Sequence, residues 1–239
     1  MKNILILIFS CKIYKHRIDN LEKIGYFNYL DQNNANYFIV TGDTSIDNEY
    51  EIDNKNFIIN IGDTYDQLPR KVLKAFILAQ NLFDCDLILK IDDDCLINLD
   101  KFYNNIDYFI ENNYVGCLSN CNYFYYNPHW NGLNNSLSKY KGPYMSGGTA
   151  YVITKKIIDD LCDNYDIVSK LLDIELYEDK LIGDSIRLLN YNINFHSIWN
   201  KKKKNIKYLM LRLKNSYDSN FFKDYMIIND IFNKHYKYI

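Results

Sequence analysis

The sequence predicts an α/β fold in which a mostly parallel central sheet is flanked by helices. Three observations carry this expectation. The first is composition: 239 residues, 48% hydrophobic and 24% charged, with only 9 Gly and 3 Pro, hold enough apolar surface to bury a core rather than stay disordered. The second is a set of short apolar runs, ILILIF at 4–9, YFIV at 37–40 and FIINI at 57–61. Runs of this kind suit strands covered on both faces, as in parallel sheets, whereas half-exposed strands alternate. The third is the helical periodicity between such runs, the pattern of a βαβ chain.

Taken in order, the run at 4–9 stops at Ser10-Cys11, that at 37–40 at Thr41-Gly42-Asp43, and that at 57–61 at Gly62-Asp63. Residues 68–83 read as a helix. Pro69 falls in its first turn, where a missing N–H is harmless, and Val72, Leu73, Phe76, Ile77, Leu82 and Phe83 form an apolar stripe. A strand at 86–91 runs into Asp92-Asp93-Asp94, followed by a helix over 99–112 and a strand over 115–118. Residues 120–141 are rich in Asn, Tyr and Ser without a period and read as a long loop, whose aromatics, such as Tyr125 and Trp130, predict packing against another surface. A turn at 144–148 enters a strand at 149–153, with helices over 155–162 and from 177 to about 190, and a short strand at 193–198. No linker or change of composition marks a domain boundary.

Asn, Ile, Lys, Tyr and Phe supply 124 of the 239 residues. All five have A/T-rich codons, so a lone Lys, Asn or Tyr carries little information. A formal charge of −2 argues against nucleic acid as a partner, which calls for a basic field. The six Cys form no C-x-x-C pair and read as reduced, mostly buried thiols. The run at 4–9 is far too short to cross a bilayer and lacks a cleavage site after it. The expectation is therefore a cytoplasmic chain without a transmembrane segment.

Asp92-Asp93-Asp94 is the sharpest chemical feature. Ligands of parallel α/β sheets bind beyond the carboxyl ends of strands, and three adjacent carboxylates repel one another unless a cation is near. In extended backbone Asp92 and Asp94 share a side and Asp93 faces the other; two same-side carboxylates suit a hard divalent ion, or an ion and a ribose hydroxyl. Glu178-Asp179 is a second acidic pair. At a helix start it reads first as capping and otherwise as a general base, and spacing alone does not choose. Ser146-Gly147-Gly148 reads either as a ligand-facing turn, by close backbone approach or positive φ, or as an ordinary tight turn. His196, amid apolar residues, reads as a core histidine or a metal ligand.

In order along the chain, GDTYDQLPRKVLKAF at 62–76, FDCDLILKIDDDCLIN at 83–98, PYMSGGTAYVIT at 143–154, EDKLIG at 178–183 and FHS at 195–197 resemble the β-1,3-galactosyltransferase family, glycosyltransferase family 31, which includes the Fringe enzymes. The resemblance spans roughly residues 4–200. It implies a GT-A fold in one domain over 1–239, with a nucleotide-sugar part to about residue 118 and an acceptor and base part from about 119. It also implies a UDP-sugar donor, a glycan or glycoconjugate acceptor, a divalent metal (Mn²⁺ or Mg²⁺) and inversion at the anomeric carbon. A hexosyl or N-acetylhexosaminyl group would be transferred, in a β-1,3 linkage. Carried over residue by residue, Asp92 and Asp93 would line the uridine-ribose side and Asp94 would ligate the metal with His196. Asp179 would be the catalytic base, Ser10, Arg17 and Lys71 would lie near the nucleotide, and Gly147 and Gly148 by the donor sugar. Two alternatives stand beside this: a silent sugar-nucleotide or glycan-binding module, and a phosphohydrolase of the haloacid-dehalogenase type, which also uses a strand running into Asp-x-Asp.

Overall fold

A computed structural model of the protein describes residues 2–116, 118–121, 142–148, 150–191, 210–212 and 227–229. The chain opens with β1 (Ile4–Phe9), α1 (Lys15–Lys23), α2 (Tyr26–Gln32), β2 (Asn36–Gly42), β3 (Tyr50–Asp53), β4 (Asn56–Ile59) and α3 (Leu68–Leu82). It continues with β5 (Leu87–Asp92), β6 (Cys95–Ile97), α4 (Leu99–Tyr103), α5 (Ile106–Asn112), β7 (Tyr114–Gly116) and β8 (Leu118–Cys121). Then follow β9 (Gly142–Met145), β10 (Ala150–Thr154), α6 (Lys155–Asp163), α7 (Tyr165–Val168), α8 (Glu178–Leu188), β11 (Met210–Arg212) and β12 (Ile227–Asn229). The predicted loop over 120–141 beyond residue 121, the strand at 193–198, and His196 lie outside the described residues.

Seven strands form the central sheet in the order β3-β4-β2-β1-β5-β10-β7. Its four middle members, β4, β2, β1 and β5, are mutually parallel, and antiparallel strands complete both sides. The predicted mostly parallel sheet is thus present. All six residues of β1 are buried, and each such side chain contributes about 1.5–3 kcal/mol on leaving water. Parity divides them: Ile4, Ile6 and Ile8 enter one core with Leu21, Leu30 and Phe102, while Leu5, Leu7 and Phe9 enter the other with Val72, Phe76 and Leu181. On β5 the same alternation sends Leu87, Leu89 and Ile91 to the first core and Ile88 to the second. Lys90 and Asp92 share the parity of Ile88 and so face the side of α3 and α8.

After β1 the chain builds outward through β2 to β4, then crosses back to place β5 on the other flank of β1. The carboxyl ends of β1 and β5 therefore bound the point where strand order reverses, the place at which open α/β sheets hold ligands.

Several elements differ from expectation. The helix over 99–112 is two helices. Asn105 intervenes, its side-chain amide donating to the Lys101 carbonyl at 2.7 Å, the local bonding by which Asn competes with helix continuation. Strand β3 has no apolar run because it is an edge strand with three exposed residues; it returns to β4 through Asn54, at φ 53°. The strand expected at 115–118 is split: β7 pairs with β10, and β8 pairs with β9 in a separate ribbon. Of the α3 stripe, Val72, Leu73 and Phe76 are buried, whereas Leu82 at the helix end is exposed. Cys11, Cys85, Cys95 and Cys162 are free, Cys85 and Cys95 buried, Cys11 and Cys162 half-buried. Among the described residues no helix is long and apolar enough to cross a membrane.

Candidate active site

The carboxyl end of β1 delivers Ser10 and that of β5 delivers the aspartates, and the two meet. Ser10 Oγ donates to Asp93 Oδ2 at 2.7 Å, and Arg17 on α1 donates to Asp93 Oδ1 at 2.8 Å. The Arg17 guanidinium lies 3.6 Å from Asp94 Oδ2 and 4.0 Å from the centre of the Tyr14 ring. Burial opposes the charge on Arg17, but Asp93 and Asp94 more than restore it and raise its pKa. Lys71, buried in the first turns of α3, donates to the Ser10 carbonyl at 2.8 Å and to Asp63 Oδ1 at 2.7 Å. Asp63 also accepts from the backbone N–H groups of Gly42 (2.8 Å) and Lys12 (2.6 Å), tying the ends of β1, β2 and β4 together.

These groups line a pocket of about 650 Å³ that includes Ser10, Arg17, Asp63, Lys71, Asp92 and Asp93, with the exposed rings of Tyr14 and Tyr65 on its wall. Two buried or half-buried cations, two aromatic rings and carboxylates in one cleft suit a ligand with an anionic group and a planar ring.

The extended-strand reading of the aspartates is corrected by the structure. The strand ends at Asp92, and Asp93 and Asp94 form a turn before β6. Asp93 and Asp94 therefore share Arg17, while Asp92 turns to Lys90. Burial and then the charge on Asp92 push the Asp94 carboxyl up to about 6, against Arg17. Burial likewise raises Asp93. Carboxylates destabilised in this way favour a nearby cation. Hard oxygen donors at a strand end suit Mg²⁺ or Mn²⁺, and the Asp94 carboxylate carries two of them. Among the described residues no three His, Cys, Asp or Glu side chains converge as a metal site; the second predicted ligand, His196, is not among them.

Behind Asp92 lies a group the sequence reading did not single out. Lys90 is fully buried, and its ammonium donates to Asp92 Oδ1 (2.6 Å), to the Gly147 carbonyl (2.8 Å) and to Glu178 Oε1 (2.8 Å). Burial disfavours its charge, yet Asp92 and Glu178 outweigh burial and raise its pKa. Tyr151 O–H donates to Glu178 Oε2 at 3.0 Å. Burial pushes Glu178 up to about 7, with Lys90 pulling the other way. The sequence did hold a signal for Lys90: it is the lone charge inside the apolar run Leu87-Ile88-Leu89-Lys90-Ile91. Asp63 was visible as the residue that stops a strand. Glu178 was visible as half of the acidic pair at a helix start, whereas Tyr14, Tyr65 and Tyr151 carried no signal, because Tyr is abundant throughout.

Asp179 stands at the start of α8. Its Oδ2 accepts from the Gly147 N–H at 3.0 Å and its Oδ1 from its neighbour Lys180 N–H at 2.8 Å. Burial raises its pKa, with the Gly147 N–H and Lys90 opposing. Each carboxylate oxygen keeps a lone pair beyond these bonds, so the group can still take a proton. Farther along α8, Asp184 is fully buried against Lys180 and Arg187, and Lys180 also donates to Glu175 at 2.8 Å. That buried ion cluster anchors the helix. The glycine turn is resolved too: neither Gly147 nor Gly148 has positive φ. A Cβ on Gly147 would overlap the Glu178 carboxylate, whereas one on Gly148 would meet no described atom within 4 Å. Close approach is therefore the reason for Gly147, and among the described residues no such constraint acts at Gly148.

The site thus gathers Ser10, Arg17, Lys71, Asp92 and Asp93 around one cleft, with Asp94 beside Arg17, and links Gly147 and Asp179 to it through Lys90. A family model described as Galactosyltransferase matches residues 42–198, a span that holds the aspartate turn, the glycine turn and the start of α8. The chain belongs to the galactosyltransferase family. A curated relative, the mouse UDP-GalNAc:beta-1,3-N-acetylgalactosaminyltransferase 2, is 26% identical over 165 residues, covering 66% of this chain. The matched segment is 31% of that relative's length. Among solved structures, a glycosyltransferase involved in the glycosylation of the major capsid of PBCV-1 superposes with a TM-score of 0.51 at 14% identity, covering 98% of this chain and 96% of that one. That likeness concerns the fold alone, and with the sheet order it agrees with the GT-A architecture.

Proposed function

We propose that this galactosyltransferase-family protein moves a hexosyl or N-acetylhexosaminyl group from a UDP-sugar to a glycan hydroxyl, with inversion and in a β-1,3 linkage. The observation that carries the proposal is the joining of two half-sites: a cleft with Arg17, Lys71 and an aspartate turn, and a half-buried carboxylate, Asp179, bonded to the turn at Gly147. The cleft suits a nucleoside diphosphate. Tyr14 and Tyr65 offer ring faces for a base, Asp92 and Asp93 acceptors for ribose hydroxyls, and Arg17 and Lys71 positive charge for phosphate.

Asp94 would hold a divalent cation, Mn²⁺ or Mg²⁺, with His196 as the second protein ligand by family resemblance; when bound, such an ion offsets the charge that develops on the diphosphate as it leaves. The protein's own part is positioning and proton transfer. The Gly147-Gly148 turn would seat the donor sugar between the cleft and α8. Asp179 would take the proton from the acceptor hydroxyl while that oxygen forms a bond to the anomeric carbon. The bond from that carbon to the UDP oxygen breaks on the opposite face, and configuration inverts. The raised pKa of Asp179 makes it a stronger base than an ordinary carboxylate.

The direct test is a panel of UDP-sugars incubated with Mn²⁺ and scored for UDP release, with and without glycan acceptors. One or more donors are expected to give acceptor-dependent UDP release; none doing so would refute the proposal. In calorimetric titrations Arg17→Ala is expected to weaken UDP binding by about 10- to 100-fold, the loss of one charge-assisted contact. Unchanged affinity would place the diphosphate elsewhere.

A further inference from the structure

The three bonds of Lys90 use its entire donor capacity, and their acceptors come from three separate parts of the chain: the end of β5, the turn between β9 and β10, and the start of α8. Gly147 is gripped at both backbone groups, its carbonyl by Lys90 and its N–H by Asp179. A continuous path therefore runs from Asp92 through Lys90 and Gly147 to Asp179. Glu178 closes it from the side, itself held by Tyr151. The rings of Phe9 and Tyr151 stand 5.7 and 5.8 Å from the ammonium, so it is enclosed in the second core with few other places to go.

Stability alone does not call for a charge at this position. A methionine or leucine fills the space without the cost of desolvating an ammonium and two carboxylates, and such swaps of buried ion networks are often neutral or favourable. What an apolar residue cannot do is fix three oxygen atoms from three segments at hydrogen-bond length. Buried polar networks that are fully satisfied give directional order of this kind.

We propose that Lys90 is a positioning residue that sets the base Asp179 in register with the aspartate turn, acting through Gly147. The proposal rests on the reading of Asp179 as the base, and it adds a residue that never touches substrate yet governs the catalytic rate.

The variant that tests it is Lys90→Met combined with Glu178→Gln, which removes the ammonium without leaving the Glu178 charge orphaned in the core. Thermal melting establishes that it folds. In the Mn²⁺-supported transfer assay kcat is expected to fall at least about 30-fold while donor KM and the UDP dissociation constant stay within about threefold, the split that marks a lost transition-state geometry rather than lost binding. Glu178→Gln alone keeps Lys90 on Asp92 and Gly147 and should retain kcat about tenfold or more above the double variant. Hydrogen exchange at the Gly147 amide, followed by NMR, should speed up about tenfold or more in the double variant as its bond to Asp179 loosens. A kcat equal to that of Glu178→Gln, or an unchanged Gly147 exchange rate, would overturn the proposal.

If the wild-type protein releases no UDP from any UDP-sugar, the functional reading fails by itself, and Gly147 exchange still decides the positioning claim. If the double variant does not fold, Glu178→Gln decides it: exchange at Gly147 close to wild type supports Lys90 as the anchor, and a tenfold rise assigns that role to Glu178 instead.

Discussion

Asp179→Asn is expected to lower the rate of glycosyl transfer by about 10²- to 10⁴-fold, the usual contribution of a positioned general base, while UDP still binds. The basis is geometric. Asp179 is held by the N–H groups of Gly147 and Lys180 and takes no part in the Ser10, Arg17 and Lys71 contacts of the cleft, so the substitution removes a proton acceptor and leaves those contacts in place. Asn keeps one carbonyl acceptor, and its amide must face the other N–H donor, which destabilises the fold by about 1–3 kcal/mol. The two effects separate in the measurement: a melting curve reads the second, and UDP titration against transfer rate reads the first. Transfer within about fivefold of wild type would remove Asp179 from the base role.

Gly147→Ala should be the most damaging single-methyl change in the site. The added Cβ would overlap the Glu178 carboxylate, standing 2.6 Å from Cδ, and would lie 3.1 Å from Asp179 Cβ. Glu178 cannot yield easily, because Lys90 and Tyr151 hold both of its oxygens. Forcing it aside breaks a buried ion pair, at a cost of about 3–5 kcal/mol. For a chain of this size that lowers Tm by about 6–20 °C, and it displaces the base by moving the residue that orients it. Gly148→Ala provides the internal comparison. Its Cβ would meet no described atom within 4 Å and its φ is not positive, so stability should stay within about 0.5 kcal/mol of wild type. Equal melting points for the two variants would contradict the close packing of Gly147 against α8.

The legible part of the site was the part written in contiguous residues. Asp92-Asp93-Asp94 stood out because three carboxylates at the end of an apolar strand conflict with everything around them, and Gly147-Gly148 stood out because glycine is scarce in this chain. How the aspartates divide their partners was not legible. Extended-strand parity paired Asp92 with Asp94, but the strand stops at Asp92, and the following turn gives Asp93 and Asp94 to Arg17 and Asp92 to Lys90. A sequence pattern does not tell at which residue pairing ends. Lys90 was passed over for a different reason: with 24 lysines in the chain, any one of them is weak evidence, and only the burial of its neighbours on both sides makes this one exceptional. The antiparallel edge strand β3 was not legible, because its exposed residues lack the run of apolar side chains that marks the middle of the sheet.

By itself, then, the sequence determined the class of fold and the succession of buried strands along the chain. Unbroken apolar runs can be accommodated only between two covered faces, and residues that stop such runs necessarily collect at the carboxyl edge. The tertiary structure alone decided that β5 returns to the flank of β1, bringing Ser10 and Arg17 onto Asp93 across more than seventy residues of chain. It alone also decided that Lys90 meets Gly147 and Glu178, which lie 57 and 88 positions away. Contacts at such separations follow from which strands become neighbours and from the direction in which a side chain leaves the sheet, and a linear pattern records neither.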